Sequence, residues 1–419
     1  MSVGLAPVRT RLDNGVTCLV KTTTMTPAVS INLAMRAGSS ADPAGGDGTA
    51  WLLSRMIDRG TATRSAEDIA ESLDSRGITL TTSVTRHLFS LVCTCLSEDV
   101  EPVLALLGEI LMAPSLPDSE LVTRKREVIT AIRQDEDNPA VRATEAVMGL
   151  LYPDGHSFGR RTKGSVGIVE GLTRDRLFAL HDARFAPRAL TAAVVGDVAA
   201  SRATAMLERV FGPWRRPAPA PIPLPPPAAR VTRQRLVIPM MNKTQADLAY
   251  GFTTMARSDP AYDALWLMNN AFGQYAIGGR LGDSIRERQG MAYYVSSVLD
   301  ADVIDSPLVI RAGVSPANVD RAIASIDDEV ARLVRDGLTP KELDESRRYL
   351  IGSLPRALET NAAIANFLQA GEFFGLGVDY DVQLPNRLSL VTLADVQDAA
   401  RRAMSPGLEA VAIAGPYEE

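Results

Sequence analysis

Histidine, a side chain used both as a metal ligand and as a proton carrier, occurs only three times in this chain of 419 residues. His87, His156 and His181 lie far apart, and none has a second histidine four positions away. That spacing would place two imidazoles on one face of a helix. Each histidine is therefore interpreted as a packed or solvated structural residue, and the three together predict no metal site.

The cysteines and glycines also favour structure over chemistry. Cys18, Cys93 and Cys95 lie in apolar, strand-like stretches, and their odd number does not suggest a disulfide framework. The sequence contains no G-x-S-x-G nucleophile motif. The glycine-rich stretch from Gly273 to Gly282 lacks the G-x-x-x-x-G-K-[ST] pattern of a phosphate-binding loop. It is interpreted as a tight turn that allows close backbone approach.

Composition excludes several classes of protein. The chain is 46% hydrophobic and 22% charged, which is typical of an ordered globular protein. A net charge of −6 and the absence of a long basic cluster argue against a nucleic-acid-binding protein. The sequence contains no run of eighteen apolar residues, so no membrane span is predicted. The first residues, MSVGLAPVRTRLDNG, lack the apolar core of a secretory signal, so we expect a cytoplasmic protein, or a periplasmic one if a signal was removed.

A proline-rich segment divides the chain. Residues 213–230 read PWRRPAPAPIPLPPPAAR, and such a run forms an extended, semi-rigid spacer because proline fixes φ and lacks an N–H. A ligand for a proline-recognising module is the alternative. The length of the chain also favours two domains. We therefore predict domains at 1–212 and 231–419, joined by this linker.

The two halves resemble each other. Pairs of matching residues are separated by a constant 219 positions: Leu177 and Val396, Pro187 and Pro406, Gly196 and Gly415. Around each set, an amphipathic helix is followed by a turn through proline and by a strand ending in glycine. Internal duplication explains this pattern. Because strand-like runs come first in each half and long helices follow, we predict an α+β fold of two homologous domains. Each would be a mixed or antiparallel sheet covered on one face by helices.

Several segments resemble the pitrilysin, insulinase and mitochondrial processing peptidase group of zinc metallopeptidases. They are LDNGVTCLV, RAGSSADPAGGDGTAWLLSRMIDRGT, EDNP, GRRTKGSVGIVEGLTRDRLFALHDARF and FGQYAIGGRLGDSIRERQGMAYYV. The resemblance covers essentially the whole chain. It implies that the first domain should carry an H-x-x-E-H zinc motif on a helix, followed by a glutamate about 76 residues later.

The positions that the resemblance assigns to zinc chemistry hold other residues here. Trp51, Ser54 and Arg55 stand in place of the two histidines and the glutamate, and Ala131 stands near the place of the later ligand. None of these four is a normal zinc ligand or a carboxylate base. The degenerate motif predicts no metal and no cofactor in this chain. Packing and solvation alone could also explain this helical face, and the alternative is that it borders a peptide-binding chamber.

The second half keeps more of the family pattern. The resemblance implies that Arg286 and Tyr293, seven residues apart, bind peptide substrate. A guanidinium can donate to substrate carbonyls, and a phenol can donate to the scissile carbonyl as it gains charge. Gly290 suits the end of a helix before a strand, which would aim both side chains into one cleft. Without the resemblance, an exposed arginine at a helix end and a tyrosine filling the sheet would be the better explanation of the pair.

These features imply a division of labour between two chains. We expect this chain to be inactive alone and to contribute to metalloendopeptidase activity only in a heterodimer. The partner would be a homologous subunit that bears the H-x-x-E-H motif and the zinc. One alternative is a structural or scaffolding homologue with no direct substrate role. Another is a stand-alone peptide-binding protein or homodimer, which requires no such partner.

Overall fold

The computed structural model describes residues 4–153, 155–274 and 279–418. The contacts within the chain define two compact units. Unit 1 comprises Met1–Arg133, Arg161–Pro223 and Leu354–Val382, and unit 2 comprises Gln134–Arg160, Leu224–Ser353 and Gln383–Glu419. Among the residues described, no helix has the length and apolar character needed to cross a membrane.

The helices occupy both units. In chain order they are α1 (Thr49–Met56), α2 (Ala66–Asp74), α3 (Val100–Met112), α4 (Asp118–Glu136), α5 (Pro139–Leu151), α6 (Val166–Gly171), α7 (Arg174–Arg184), α8 (Ala200–Phe211), α9 (Tyr262–Asn269), α10 (Val319–Asp336), α11 (Pro340–Ala357), α12 (Asn361–Phe373), α13 (Tyr380–Leu390) and α14 (Leu393–Ala403). Two further segments are π-helical, π1 (Asn270–Gln274) and π2 (Gly282–Arg288).

Unit 1 contains a six-stranded sheet. Its strands are β1 (Val8–Arg11), β2 (Thr17–Thr22), β3 (Ala28–Met35), β4 (Thr81–Val84), β5 (Phe89–Leu96) and β6 (Leu190–Gly196). They lie in the order β1-β2-β6-β3-β5-β4. Neighbouring strands are antiparallel except β2 and β6, which are parallel.

Unit 2 contains a five-stranded sheet. Its strands are β7 (Gln234–Pro239), β8 (Ala246–Thr253), β9 (Ala292–Leu299), β10 (Pro307–Val314) and β11 (Ala410–Gly415). The order is β7-β11-β8-β10-β9, and only β7 and β11 are parallel. This order repeats that of unit 1 once the edge strand β1 is set aside, which agrees with the internal duplication inferred from the sequence.

The duplication extends to backbone conformation. Gly196 and Gly415 end equivalent strands with φ of +147° and +145°. A Cβ at Gly196 would lie 2.2 Å from the carbonyl oxygen of Ala28, so only glycine fits there. Thr173 and Thr392 cap the helices that precede these strands, each accepting a hydrogen bond from the third residue of its helix.

Helices cover both faces of the unit 1 sheet, whereas the sequence predicted helices on one face only. Cys18 and Val20 of β2 point into the main core. The intervening Leu19 packs in a second cluster with Ile364 and Leu368 of α12. Alternate residues of a strand point to opposite faces, so α12 lies on the face opposite the main core. The prediction was wrong on this point because the covering helix comes from the other half of the sequence.

Unit 2 receives a helix from the first half in the same way. Val147 and Leu151 of α5 pack on Ala249, Ala412 and other small residues of the sheet. Gly251 permits this close contact, since a Cβ there would lie 2.9 Å from Leu151. The division of the sequence at 213–230 therefore separates α5 and α12 from the sheets on which they pack. Residues 214–230 themselves form no helix or strand.

The cysteines are packing residues, as the sequence predicts. Cys18, Cys93 and Cys95 are buried and form no disulfide. Burial raises the pKa of Cys18 and of Cys95 to about 11 and that of Cys93 to about 12, which disfavours the reactive thiolate.

Candidate functional site

Arg286 lies in the last turn of π2, with its side chain 44% exposed. Its ionic contact is loose, with 3.6 Å between Nε and Oε1 of the adjacent Glu287. Arg288, the neighbour with which it could be confused, is bound more closely, since its Nη2 lies 2.7 Å from Oδ2 of Asp283. Residues five apart are neighbours on a π-helix, so the helix type itself explains that pair. Arg286 is therefore the arginine of this turn with donors to spare.

The chain upstream of π2 is anchored by Arg280. Its guanidinium forms a bidentate ion pair with Glu342 of α11 and donates to the carbonyl of Gly337 at 2.7 Å. Burial disfavours the Glu342 carboxylate, but hydrogen bonds from Arg280 and Thr339 hold its pKa below the ordinary value. The anchor fixes the start of the helix that carries Arg286.

Gly290 ends π2, as the sequence predicts. Its φ is +60°, and its N–H donates to the carbonyl of Arg286 at 3.0 Å. The N–H of Met291 donates to the carbonyl of Ile285 at 3.1 Å. These bonds satisfy last-turn carbonyls and turn the chain directly into β9.

Tyr293 occupies a β-bulge on the edge strand of the unit 2 sheet. Tyr294 pairs with Gly313 of β10, and Ala292 pairs with the next residue, Val314, so Tyr293 has no partner in the ladder. A bulge leaves one residue unpaired and redirects its side chain. Tyr293 is accordingly 66% exposed.

Tyr294, the other tyrosine of this strand, packs against the sheet. Its ring covers Gly313, where a Cβ would lie 2.5 Å from Cε1 of the tyrosine. Its hydroxyl donates to Oδ1 of the buried Asp247 at 2.6 Å, and burial raises the pKa of Tyr294. The structure thus distinguishes Tyr293, whose side chain points outward, from Tyr294, whose side chain points inward. From the sequence, the choice between the two tyrosines rested on spacing and resemblance alone.

The glycine-rich stretch allows close packing at its described positions. A Cβ at Gly273 would lie 2.7 Å from Oγ of Ser297 on β9, and one at Gly279 would lie 3.1 Å from the carbonyl of Phe272. The central part of the predicted tight turn, residues 275–278, lies outside the described residues.

The positions that the family resemblance assigns to zinc lie in unit 1. Trp51 and Arg55 are half-buried on α1, and the guanidinium carbon of Arg55 lies 5.0 Å from the centre of the indole. Ser54 is buried, and its hydroxyl donates to the carbonyl of Trp51 at 2.7 Å. Ala131 is half-buried on α4. These side chains offer an indole, an internally bonded hydroxyl, a methyl group and a positive charge.

No group of three His, Cys, Asp or Glu side chains suited to a metal ion occurs among the residues that the structure describes. The histidines have structural contacts. His181 is buried with Nε2 3.0 Å from the carbonyl of Leu111, and burial lowers its pKa. His156 Nε2 lies 3.0 Å from the carbonyl of Pro225, and the ring of His87 packs 5.2 Å from that of Phe373.

Lys163 lies beside the degenerate motif and was not singled out in the sequence. Its Nζ is 5.5 Å from the centre of the Trp51 ring. The contact depends on two loops that approach closely at Gly48 and Gly164, where a Cβ on either glycine would lie within 2.4 Å of the backbone of the other loop. No local pattern around Lys163 could have shown this proximity, because it is created by the fold.

Comparison with known proteins gives a consistent result. Residues 17–157 match the family model described as insulinase (peptidase family M16), and residues 171–350 match the one described as the peptidase M16 inactive domain. An uncharacterized zinc protease of Mycobacterium tuberculosis is 26% identical over 99% of this chain and 94% of that protein. One of Bacillus subtilis is 25% identical over 93% of this chain and 94% of that protein.

Solved structures share the fold. A peptidase M16 inactive domain from Pseudomonas fluorescens superposes with a TM-score of 0.91 at 24% identity, covering 98% of both chains. A protease from Helicobacter pylori superposes with a TM-score of 0.90 at 15% identity, covering 99% of this chain and 100% of that one.

Proposed function

Because this chain belongs to peptidase family M16, we propose that it is the metal-free subunit of a two-chain zinc metallopeptidase. In this proposal it binds peptide with Arg286 and Tyr293 beside the zinc of a homologous partner that has an intact H-x-x-E-H motif. The observation that carries the proposal is the β-bulge at Tyr293, which presents a phenol outward just after the helix end that presents Arg286.

The chemistry of the two side chains supports this role. The guanidinium of Arg286 would donate to backbone carbonyls of the peptide and hold it extended. The hydroxyl of Tyr293 would donate to the scissile carbonyl oxygen, and this bond strengthens as negative charge develops there. The partner's zinc would activate the attacking water. The residues at the degenerate motif of this chain include no base that could take up the water proton.

The test is reconstitution with a homologous H-x-x-E-H subunit from the same organism. We expect the mixture to cleave a quenched fluorescent peptide, the isolated chain to be inactive, and its zinc content to be near zero. Tyr293→Phe should lower kcat by roughly 10²–10³-fold, as removal of one oxyanion donor does. Arg286→Gln should mainly raise KM, because it removes binding to parts of the peptide that do not react.

Arg288→Gln is the matched control for Arg286→Gln. It removes the same charge two residues away from an arginine that is paired with Asp283, and it should leave the kinetics nearly unchanged. An unaltered rate after Tyr293→Phe would instead favour the scaffolding role. Chelator-sensitive, zinc-restored cleavage by the isolated chain would refute the proposal.

A further inference from the structure

Arg280 lies in the first turn of the helix that carries Arg286. Arg280 and Leu281 are helical and continue without interruption into π2, and Arg286 lies in the last turn of π2. Leu281 and Ile285 are fully buried, so one side of this helix is packed against its surroundings in unit 2. Closely packed segments transmit strain, and a shift of the first turn would therefore reach the position of Arg286.

The contacts of Arg280 join this helix to the turn between α10 and α11. Its side chain is only 15% exposed, forms the bidentate ion pair with Glu342, and donates through Nη2 to the carbonyl of Gly337, the residue after α10. Glu342 in turn accepts from the N–H and the hydroxyl of Thr339, just before α11, at 2.7 and 2.8 Å. A guanidinium holds several acceptors in fixed directions, which a single ammonium does less well. Arg280 therefore fixes the start of its helix in position and in direction.

A second contact joins the far end of π2 to α10. The hydroxyl of Ser325 on α10 donates to Oε1 of Gln289, directly after π2, at 3.3 Å. This hydrogen bond is exposed and joins two neutral groups, so it should contribute less than a charge-assisted pair. Of these two polar ties, the one through Arg280 is the stronger.

We propose that Arg280 is a positioning residue for Arg286. Held by Glu342 and Gly337, it fixes the direction in which the guanidinium of Arg286 meets the peptide. This inference rests on the proposed function of Arg286. Arg280 does not touch the peptide in this proposal, because its own donors are engaged within the chain. A shift of about 1 Å can remove most of the benefit of a correctly placed group, although the group is still present.

The test is a double-mutant cycle in the reconstituted pair. Arg280→Gln should raise KM about tenfold when Arg286 is present, as expected for the loss of one charge-assisted hydrogen bond to the substrate. In the Arg286→Gln background the same substitution should change KM by less than about twofold, since the group that it positions is gone. Arg280→Lys, which keeps the charge and loses the fork, should fall between Arg280→Gln and the unaltered chain. Equal effects of Arg280→Gln in the two backgrounds would refute the proposal.

Arg347→Gln is the matched control. Arg347 is half-buried on α11 of unit 2, and its guanidinium donates to the carbonyls of Leu388 at 3.1 Å and Val391 at 2.8 Å. Its removal should lower the melting temperature, as Arg280→Gln does, but should leave KM unchanged. A tenfold rise in KM for Arg347→Gln as well would show that a general loss of stability is the cause and would overturn the proposal.

Hydrogen exchange of the isolated chain gives a readout that needs no partner. The N–H groups of Gly290 and Met291 donate to carbonyls in the last turn of π2. They should exchange roughly tenfold faster in Arg280→Gln and at an unchanged rate in Arg347→Gln. Unchanged exchange in Arg280→Gln would overturn the inference and leave the proposed function intact. If Arg286→Gln alone does not change KM, the proposed function itself fails, and the inference fails with it.

Discussion

Tyr293 and Tyr294 are adjacent on β9, and a Tyr→Phe substitution removes the same hydroxyl group from either one. We expect its removal from Tyr294 to affect stability and its removal from Tyr293 to affect activity. Tyr294→Phe removes the hydroxyl that donates to Asp247 at 2.6 Å, and Asp247 is only 4% exposed. The remaining side-chain donor to this carboxyl oxygen is Nε2 of Gln245, at 3.0 Å. A hydrogen bond to a charged, buried partner contributes about 1.5–3 kcal/mol. Because Tyr294 is itself half-buried, we expect a loss of about 2 kcal/mol.

Tyr293→Phe removes the same atom one residue earlier, from a side chain that is 66% exposed. Substitutions at such surface positions change stability by no more than about 0.5 kcal/mol. Thermal melting of the isolated chain should therefore show the unit 2 transition about 4–8 °C lower for Tyr294→Phe, given roughly 2–4 °C per kcal/mol for a unit of this size. For Tyr293→Phe it should show almost no shift.

The kinetic effects should have the opposite order. In the reconstituted pair, Tyr293→Phe should lower kcat by roughly 10²–10³-fold and leave the melting temperature unchanged. Equal melting shifts for the two variants would show that the bulge does not separate the two phenols in this way. The exposure of the two side chains would then not determine their contributions to stability, whatever the activities are.

Three further outcomes are expected from the fold. Gly196→Ala should destabilise unit 1 by about 2–4 kcal/mol in denaturant melts, because of its positive φ and the clash with backbone, whereas Gly167→Ala, with open space around it, should be neutral or stabilising. The pKa of Glu342 is lowered in the folded chain. The stability that this carboxylate contributes is therefore present above its unfolded pKa and is lost as the pH falls through its folded pKa. Glu342→Gln should accordingly flatten the loss of stability below about pH 4.5. The three buried thiols should resist a thiol reagent at pH 8 and react fully in guanidinium, and rapid reaction of the native chain would contradict their burial.

Many features of this protein can be predicted from short segments of its sequence. The identities of Trp51, Ser54 and Arg55 can be read from the sequence, whereas their correspondence to a zinc motif stays a prediction from the family resemblance. The repeated helix, turn and strand around Gly196 and Gly415 predicted the duplicated sheets, since hydrophobic periodicity and glycine placement are properties of short segments. Arg286 and Tyr293 were chosen by spacing and resemblance, and their roles stay a prediction. The helix end at Gly290 followed from the tolerance of glycine for positive φ.

Tertiary structure decided the rest. The local sequence pattern of a helix does not show which sheet the helix will pack on. Only the fold places α5 and α12 each on a sheet built mainly from the other half of the chain. The bulge at Tyr293 depends on the register between β9 and β10, and the contact of Lys163 with Trp51 depends on two loops that meet at glycines. Sequence fixes local conformation through backbone and side-chain preferences, whereas these features arise from packing between segments that are distant in the chain.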